Sequence, residues 1–133
     1  MSSIERFEDI QAWQEARALT KIIYGLSSQG DWARDFGLCD QIRRAVVSVM
    51  SNIAEGFDRK ANTEFHRFLA IAKGSAAEVK AQLYVALDLG YIDKCTFAST
   101  YESADKVSRM IGSLMNYLKE FNTKKPERTT HNK

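Results

Sequence analysis

The sequence predicts an all-α fold, an up-down antiparallel four-helix bundle, on three observations. Apolar residues recur at alternating steps of three and four over four long stretches, the rhythm that gathers them on one face of a helix. Proline occurs once, at Pro126, and the seven glycines mostly stand where those stretches stop. At 133 residues, 44% apolar and 27% charged, the chain is large enough to bury one core without a disulfide or metal to hold it. The expected organisation is a bundle over residues 1–122 and a flexible basic tail over 123–133.

The first helix opens at Phe7 and carries Ala12, Ala16, Leu19, Ile23 and Leu26, with Trp13 and Ile22 widening the stripe. Turn-forming residues from Ser27 to Asp31 end it, and Trp32 and Phe36 are expected to fold back as a lid over the bundle end. The second helix carries Leu38, Ile42, Ala45, Val49, Ile53 and Phe57, and its pattern fades at Arg59 and Lys60. Asn62 is expected to cap the third, whose seam Phe65, Leu69, Ala72, Ala76, Val79, Leu83, Ala86 steps 4-3-4-3-4-3 before Gly90 supplies a left-handed stop. The fourth carries Tyr101, Ala104, Val107, Ile111, Leu114, Leu118 and Phe121, with Asp93 or Thr96 as its cap. Each helix is expected to run about 20 to 28 residues, or roughly 30 to 40 Å at 1.5 Å per residue. Short connections between such rods make neighbours antiparallel.

Several function classes lose support at once. The N-terminus lacks a basic region followed by an apolar stretch and no run of eighteen apolar residues occurs, so a cytoplasmic protein is expected. Cys39 and Cys95 stand apart with no C-x-x-C and no histidine at ligand spacing, and both are expected to be reduced structural thiols. Bundles that hold two irons use Glu-x-x-His pairs, but here Thr63 stands three residues before His66, and His131 lies in the tail. One ordered histidine without an acidic partner does not make a nucleophilic triad, and no glycine-rich phosphate loop is present. The expectation is a protein that is not an enzyme, with no metal, cofactor or small-molecule substrate.

Two constellations remain. A polar line on the second helix, Gln41, Arg44, Ser48, Ser51, Asn52 and Glu55, runs at three-and-four spacing beside the apolar seam. The third helix offers a companion set in Glu64, Arg67, Gly74 and Glu78, where mid-helix Gly74 costs about 1 kcal/mol against alanine and suggests close packing on another backbone. Mixed Arg, Asn, Gln, Ser and Glu can bond to one another, so Gln41, Arg44, Ser48, Asn52, Glu55, Gly74 and Glu78 are candidates for a helix–helix or subunit contact; the alternative is a solvated face. Charge is the second constellation. Residues 1–40 hold four basic and seven acidic groups, residues 41–80 seven and four, and residues 81–133 eight and six. Arg43, Arg44, Arg59, Lys60, Arg67, Lys73 and Lys80 therefore lie on the middle two helices and are candidates for phosphate contact, while Lys124, Lys125, Arg128 and Lys133 crowd the tail. A net charge of +2 with no recognised DNA- or RNA-reading motif is also what a solvated mixed-charge surface would show.

From Phe7-Glu8-Asp9 and Trp13, through Gln41-Ile42-Arg43-Arg44-Ala45 and Ser51-Asn52-Ile53-Ala54-Glu55-Gly56, the chain resembles the bacterial four helix bundle proteins encoded in intervening sequences of 23S rRNA genes. Glu64-Phe65, Arg67-Phe68-Leu69, Ala72-Lys73-Gly74-Ser75, Glu78 and Leu89-Gly90-Tyr91-Ile92 continue the likeness. Met50 departs from a frequent proline and implies a straighter second helix; Lys73 departs from an arginine and weakens any bidentate contact there. The resemblance implies a ring-like homopentamer in the cytoplasm. A looser likeness to accessory proteins of diversity-generating retroelements implies contact with nucleic acid or a polymerase. The leading functional expectation is an oligomeric, non-catalytic bundle that binds RNA or DNA through the basic faces of its second and third helices. The alternative is a protein-interaction scaffold with no nucleic-acid role.

Overall fold

Four apolar stripes on helices of this length have nowhere to go but against each other. The structure, a computed structural model, describes residues 4–131, with side chains described through residue 120. A 3-10 turn at Phe7–Asp9 precedes α1 at Gln11–Ser27, and a second at Trp32–Arg34 precedes α2 at Phe36–Asp58; α3 at Asn62–Asp88 and α4 at Lys94–His131 complete the fold. Among the described residues there is no strand. The helices contact one another in the cyclic order α1–α2–α3–α4–α1, most extensively between α2 and α3, and neither diagonal pair makes comparable contact. With connections this short, neighbours are antiparallel, so this is an up-down four-helix bundle.

The seams predicted from spacing form the core. All seven seam positions of α3 are buried, and so are Leu38, Ile42, Ala45, Val49 and Ile53 of α2 and Ala104, Val107, Ile111, Leu114 and Leu118 of α4. Each large aliphatic side chain so buried contributes about 1.5 to 3 kcal/mol. Phe121 and the expected basic tail, 123–133, have side chains outside the described residues.

The ends of the elements differ from expectation in several places. Phe7 belongs to the 3-10 turn, because Ile10 is extended (φ −77°, ψ 123°) and buries its side chain in the core before α1 begins. That shortens α1 to 17 residues. Asn62 is already inside α3; Ala61 occupies the cap position with no side-chain bond. Lys60, between α2 and α3, adopts φ 64°, the left-handed conformation that glycine favours. Gly90 takes φ 75°, and the Tyr91 N–H reaches the Ala86 carbonyl at 2.9 Å to close α3 as a left-handed cap should. Asp93 caps α4, its Oδ1 accepting from the Thr96 N–H at 2.7 Å, and that bond holds its carboxyl below the usual range.

One end of the bundle is clasped by aromatic and acidic groups. Trp32 is fully buried, as a lid residue should be, and stacks on Tyr91 with ring centres 6.1 Å apart. Asp35 Oδ1 accepts from the Leu38 N–H at 3.1 Å to cap α2, while its Oδ2 accepts from the Tyr91 hydroxyl at 2.8 Å. One carboxylate thus starts a helix and ties the α1–α2 connection to the α3–α4 connection. Phe36 does not join this lid: it is 79% exposed, since its first-turn position on α2 turns it away from the seam. Cys39 is buried and donates to the Ser27 and Trp32 carbonyls, whereas Cys95 is exposed and has no structural role of that kind.

Candidate functional site

The polar line of α2 divides between two environments. Ser48 Oγ lies 2.8 Å from Ser75 Oγ across the α2–α3 contact, and Asn52 Nδ2 donates to the Ser48 carbonyl and Oγ at 2.8 and 3.0 Å. Farther along, Gln82 Nε2 donates to Gln41 Oε1 at 3.4 Å. These residues sit beside the seam: the Ser48–Ser75 and Gln41–Gln82 bonds link the two helices, and the Asn52 bonds, within α2, hold Ser48 in place. Arg44, Ser51 and Glu55 point outward instead, Arg44 paired with Asp40 and Glu55 with Arg59 one turn along α2.

Within this chain the close-packed glycine is Gly56, to which spacing assigned no role, and not Gly74. A Cβ built on Gly74 meets nothing within 4 Å, so no backbone of this chain accounts for that glycine. A Cβ on Gly56 falls 2.6 Å from Phe68 Cβ and 3.1 Å from Phe65 Cδ1, so it is Gly56 that permits the close approach of α2 and α3. Glu78, one turn beyond Gly74, is exposed and has no described hydrogen bond or ion pair.

The seven cations expected to meet phosphate are not gathered into one bare patch. Arg43 is half-buried: its Nε donates to Ser27 Oγ at 2.9 Å, a terminal nitrogen to Ser28 Oγ at 3.1 Å, and its guanidinium lies 4.7 Å from the centre of the Tyr24 ring. It pins α1 to α2. Arg44, Arg59, Arg67 and Lys80 each hold a carboxylate, Asp40, Glu55, Glu64 and Asp105 respectively, at 2.8 to 3.1 Å. The hydrogen bond from Arg67 holds Glu64 below its ordinary range, and the same bond raises Arg67. Lys80 is likewise raised by its bond to Asp105, with its ammonium 5.2 Å over the Tyr101 ring, and Asp105 is lowered by Lys80 and then by the charges of Arg109 and Lys73. Lys60 and Lys73 are exposed and make no described ion pair.

Two of these cations share one ring at the α2–α3 turn. Arg59 and Arg67 both lie over Phe68, at 5.1 and 4.6 Å from the ring centre, with Lys60 between them in sequence. The buried ring, held by close packing on Gly56, fixes two guanidiniums near one point.

Two surfaces that the seam pattern did not single out expose apolar side chains, one along α3 and one mixed with polar groups. On α3 the residues opposite the seam are Ala70, Gly74, Ala77, Ala81 and Val85, all exposed, flanked by Ile71, Tyr84 and Leu89 at 43, 49 and 55% exposure. Its apolar residues are therefore spread around the helix, and α3 is less amphipathic than α1 or α2. A second line at 4-3-4 spacing, Ala70-Gly74-Ala77-Ala81, was the available signal, hidden by the stronger seam beside it. The other surface is an open groove of about 940 Å³ along α1 and α2, lined among others by Tyr24, Ser28, Phe36, Arg43, Arg44 and Val47. Nothing in a helical period marks Phe36 as exposed, because its orientation follows from where α2 starts.

Among the described residues, no group of three His, Cys, Asp or Glu side chains is placed to hold a metal ion. No helix of the described chain is long and apolar enough to cross a membrane.

Comparison with known proteins assigns the family. The model of the 23S rRNA-intervening sequence protein family matches residues 8–113. The chain belongs to that family. The match takes in α1, α2, α3 and the first half of α4, so the cationic turn, the α3 face and the groove all lie within the 23S rRNA-intervening sequence protein unit. A crystal structure of a protein of unknown function from the S23 ribosomal protein family of Bacteroides thetaiotaomicron superposes with a TM-score of 0.73 at 19% identity, covering 79% of this chain and 95% of the other. At that identity the likeness is one of fold. No curated protein matches the chain.

Proposed function

We propose that this family member is a non-catalytic building block that acts in the cytoplasm as an assembly of identical copies, a ring of five as the family resemblance implies. The observation that carries this reading is α3, which turns an apolar seam inward and a second surface of alanine, glycine, valine and leucine outward. A second apolar strip on a helix whose seam is already buried is surface that favours a partner, and a four-helix bundle gives α3 an interior on one side only. Light scattering of the purified protein tests it: a mass several times the 15.1 kDa chain is expected at micromolar concentration, and a clean monomer refutes it.

A second reading, that the assembly holds RNA or DNA by its phosphates, draws on the cationic turn. Arg59 and Arg67 share the Phe68 ring, so phosphate oxygens would find two planar donors there, and Lys60, next to Arg59 in sequence, makes no described ion pair. Repetition around a ring would multiply a weak monomer site into a useful one. Filter-binding titrations at two salt concentrations test this reading, with salt-sensitive retention expected. No retention at low salt ends it, and survival of a partner in nuclease-treated lysate would favour the protein-scaffold alternative.

A further inference from the structure

An outward apolar strip on one helix and an open groove of mixed polar and apolar lining on the same molecule raise the question of whether one fits the other. The ridge of α3 is narrow for most of its length, because Ala70, Gly74, Ala77 and Ala81 project little beyond the backbone. It broadens at Tyr84, Val85 and Leu89. The groove on α1 and α2, about 940 Å³ and open to solvent, presents Tyr24, Phe36 and Val47, at 41, 79 and 38% exposure, for apolar contact. Their charges are complementary. The groove holds Arg43 and Arg44 against Asp40, whereas the ridge holds Glu78 and Asp88 against Lys73, and neither Glu78 nor Asp88 has a described partner within the chain. Gly74, whose cost within the helix nothing in this chain explains, stands where a neighbouring backbone would have to come close.

We infer that the outward face of α3 docks into the α1–α2 groove of a second copy of this chain. The two surfaces differ, so the contact is head-to-tail: each copy uses its ridge on one neighbour and its groove on the other, which closes into a ring when the rotation permits. The mode is a helix laid in a groove, with apolar anchors setting the register and Arg44 meeting Glu78 or Asp88 at the rim. This rests on the assembly reading and adds to it which surfaces meet.

The test uses two variants of the full chain, each changed only at exposed positions. The groove variant carries Phe36→Asp and Arg44→Glu; the ridge variant carries Ala81→Arg and Val85→Arg. Light scattering should find each variant alone as a monomer and an equal mixture as a one-to-one dimer, because the mixture retains one intact ridge and one intact groove. Either variant keeping the wild-type mass overturns the inference while leaving assembly itself standing. Two monomers that remain monomers on mixing also overturn it, since the surfaces then do not recognise each other. A monomeric wild type overturns this inference and the assembly reading together. If a double variant fails to keep wild-type helicity by circular dichroism, Phe36→Ser and Val85→Ser replace the pair; each should raise the dissociation constant at least tenfold, and an unchanged constant refutes the docking.

Discussion

Gly56 and Gly74 offer the sharpest quantitative contrast in the molecule, since both lie within helices, Gly74 mid-way along α3 and Gly56 in the last turn of α2, and only one is constrained by its neighbours. Replacement with alanine recovers about 1 kcal/mol of helix propensity at Gly74 and up to about that at Gly56. At Gly74 the new methyl meets nothing of its own chain within 4 Å, so in the dissociated chain the gain should appear nearly whole, while in the docked assembly the methyl would press on the neighbouring copy. At Gly56 the methyl would lie 2.6 Å from Phe68 Cβ, an atom fixed to its own backbone that cannot swing aside as a side-chain tip can. The helices must separate, and overpacking of this kind costs about 1 to 3 kcal/mol, toward the upper end when no rotamer relieves it. The net expectation for the dissociated chain is a loss of about 1 to 2 kcal/mol for Gly56→Ala against a gain of up to about 1 kcal/mol for Gly74→Ala. Urea unfolding of the dissociated chain, followed by circular dichroism at one protein concentration, reads the difference: with slopes of about 1 to 3 kcal/mol per molar, the two midpoints should separate by roughly 1 M. Coincident midpoints, or a Gly56→Ala protein as stable as wild type, would refute the packing account of the α2–α3 contact.

Three further outcomes follow from the connections and the ion pairs. Asp35→Ala should cost about 1 to 2 kcal/mol through loss of the α2 cap, while Asp35→Asn should retain the cap and lose mainly the charge in the Tyr91 bond, giving a urea midpoint between alanine and wild type. Asp105 is held below its ordinary value of 3.8, so its contribution to stability is full above that pH and disappears as pH falls through the lowered value; Lys80, held above its ordinary 10.5, contributes fully below that pH and loses its share as pH rises through the raised value. Asp105→Asn should therefore flatten both the acid limb below pH 3.8 and the alkaline limb above pH 10.5 in thermal melts, and an unchanged profile would remove the pair from the account. Lys60→Gly should relieve a left-handed residue and raise stability by up to about 1 kcal/mol while weakening any retention of RNA, so opposite signs are expected from melting and filter binding.

What was legible in the sequence is what a period can encode. The α3 seam runs without interruption from Phe65 to Ala86, and every one of its positions is buried. Gly90 was readable too, and the α4 cap was narrowed to Asp93 or Thr96, because a left-handed stop and an N-cap depend on residue type at one position. Starts that depend on distant packing were not. Ile10 breaks α1 because its side chain fills the core from an extended backbone, and no local rule distinguishes that from another helical turn. Gly56 looked like the close of a motif and Gly74 like a packing glycine, yet which of them faces Phe68 depends on the rotation of α2 against α3. The cations were legible as a composition but not as a site, since their carboxylate partners come from one turn away in Arg44, Arg59 and Arg67 and from another helix in Lys80.

Those partners bear directly on the phosphate reading. A phosphate approaching the α2–α3 turn meets Arg59 and Arg67 with Glu55 and Glu64 already beside them. Exposed pairs of this kind hold weakly, so the guanidiniums can turn to a new acceptor, but each displaced carboxylate stays nearby and repels it. Because Arg67 keeps Glu64 ionised to below its ordinary 4.5, acidification to pH 5 does not remove that repulsion. Neutralising it by mutation does: Glu64→Gln should strengthen salt-sensitive RNA retention, and Arg67→Gln should weaken it. A scaffold whose charges serve only solubility predicts no change in either variant. Retention that falls in Glu64→Gln as in Arg67→Gln would mean the pair acts through structure, and the cationic turn would lose its claim to phosphate.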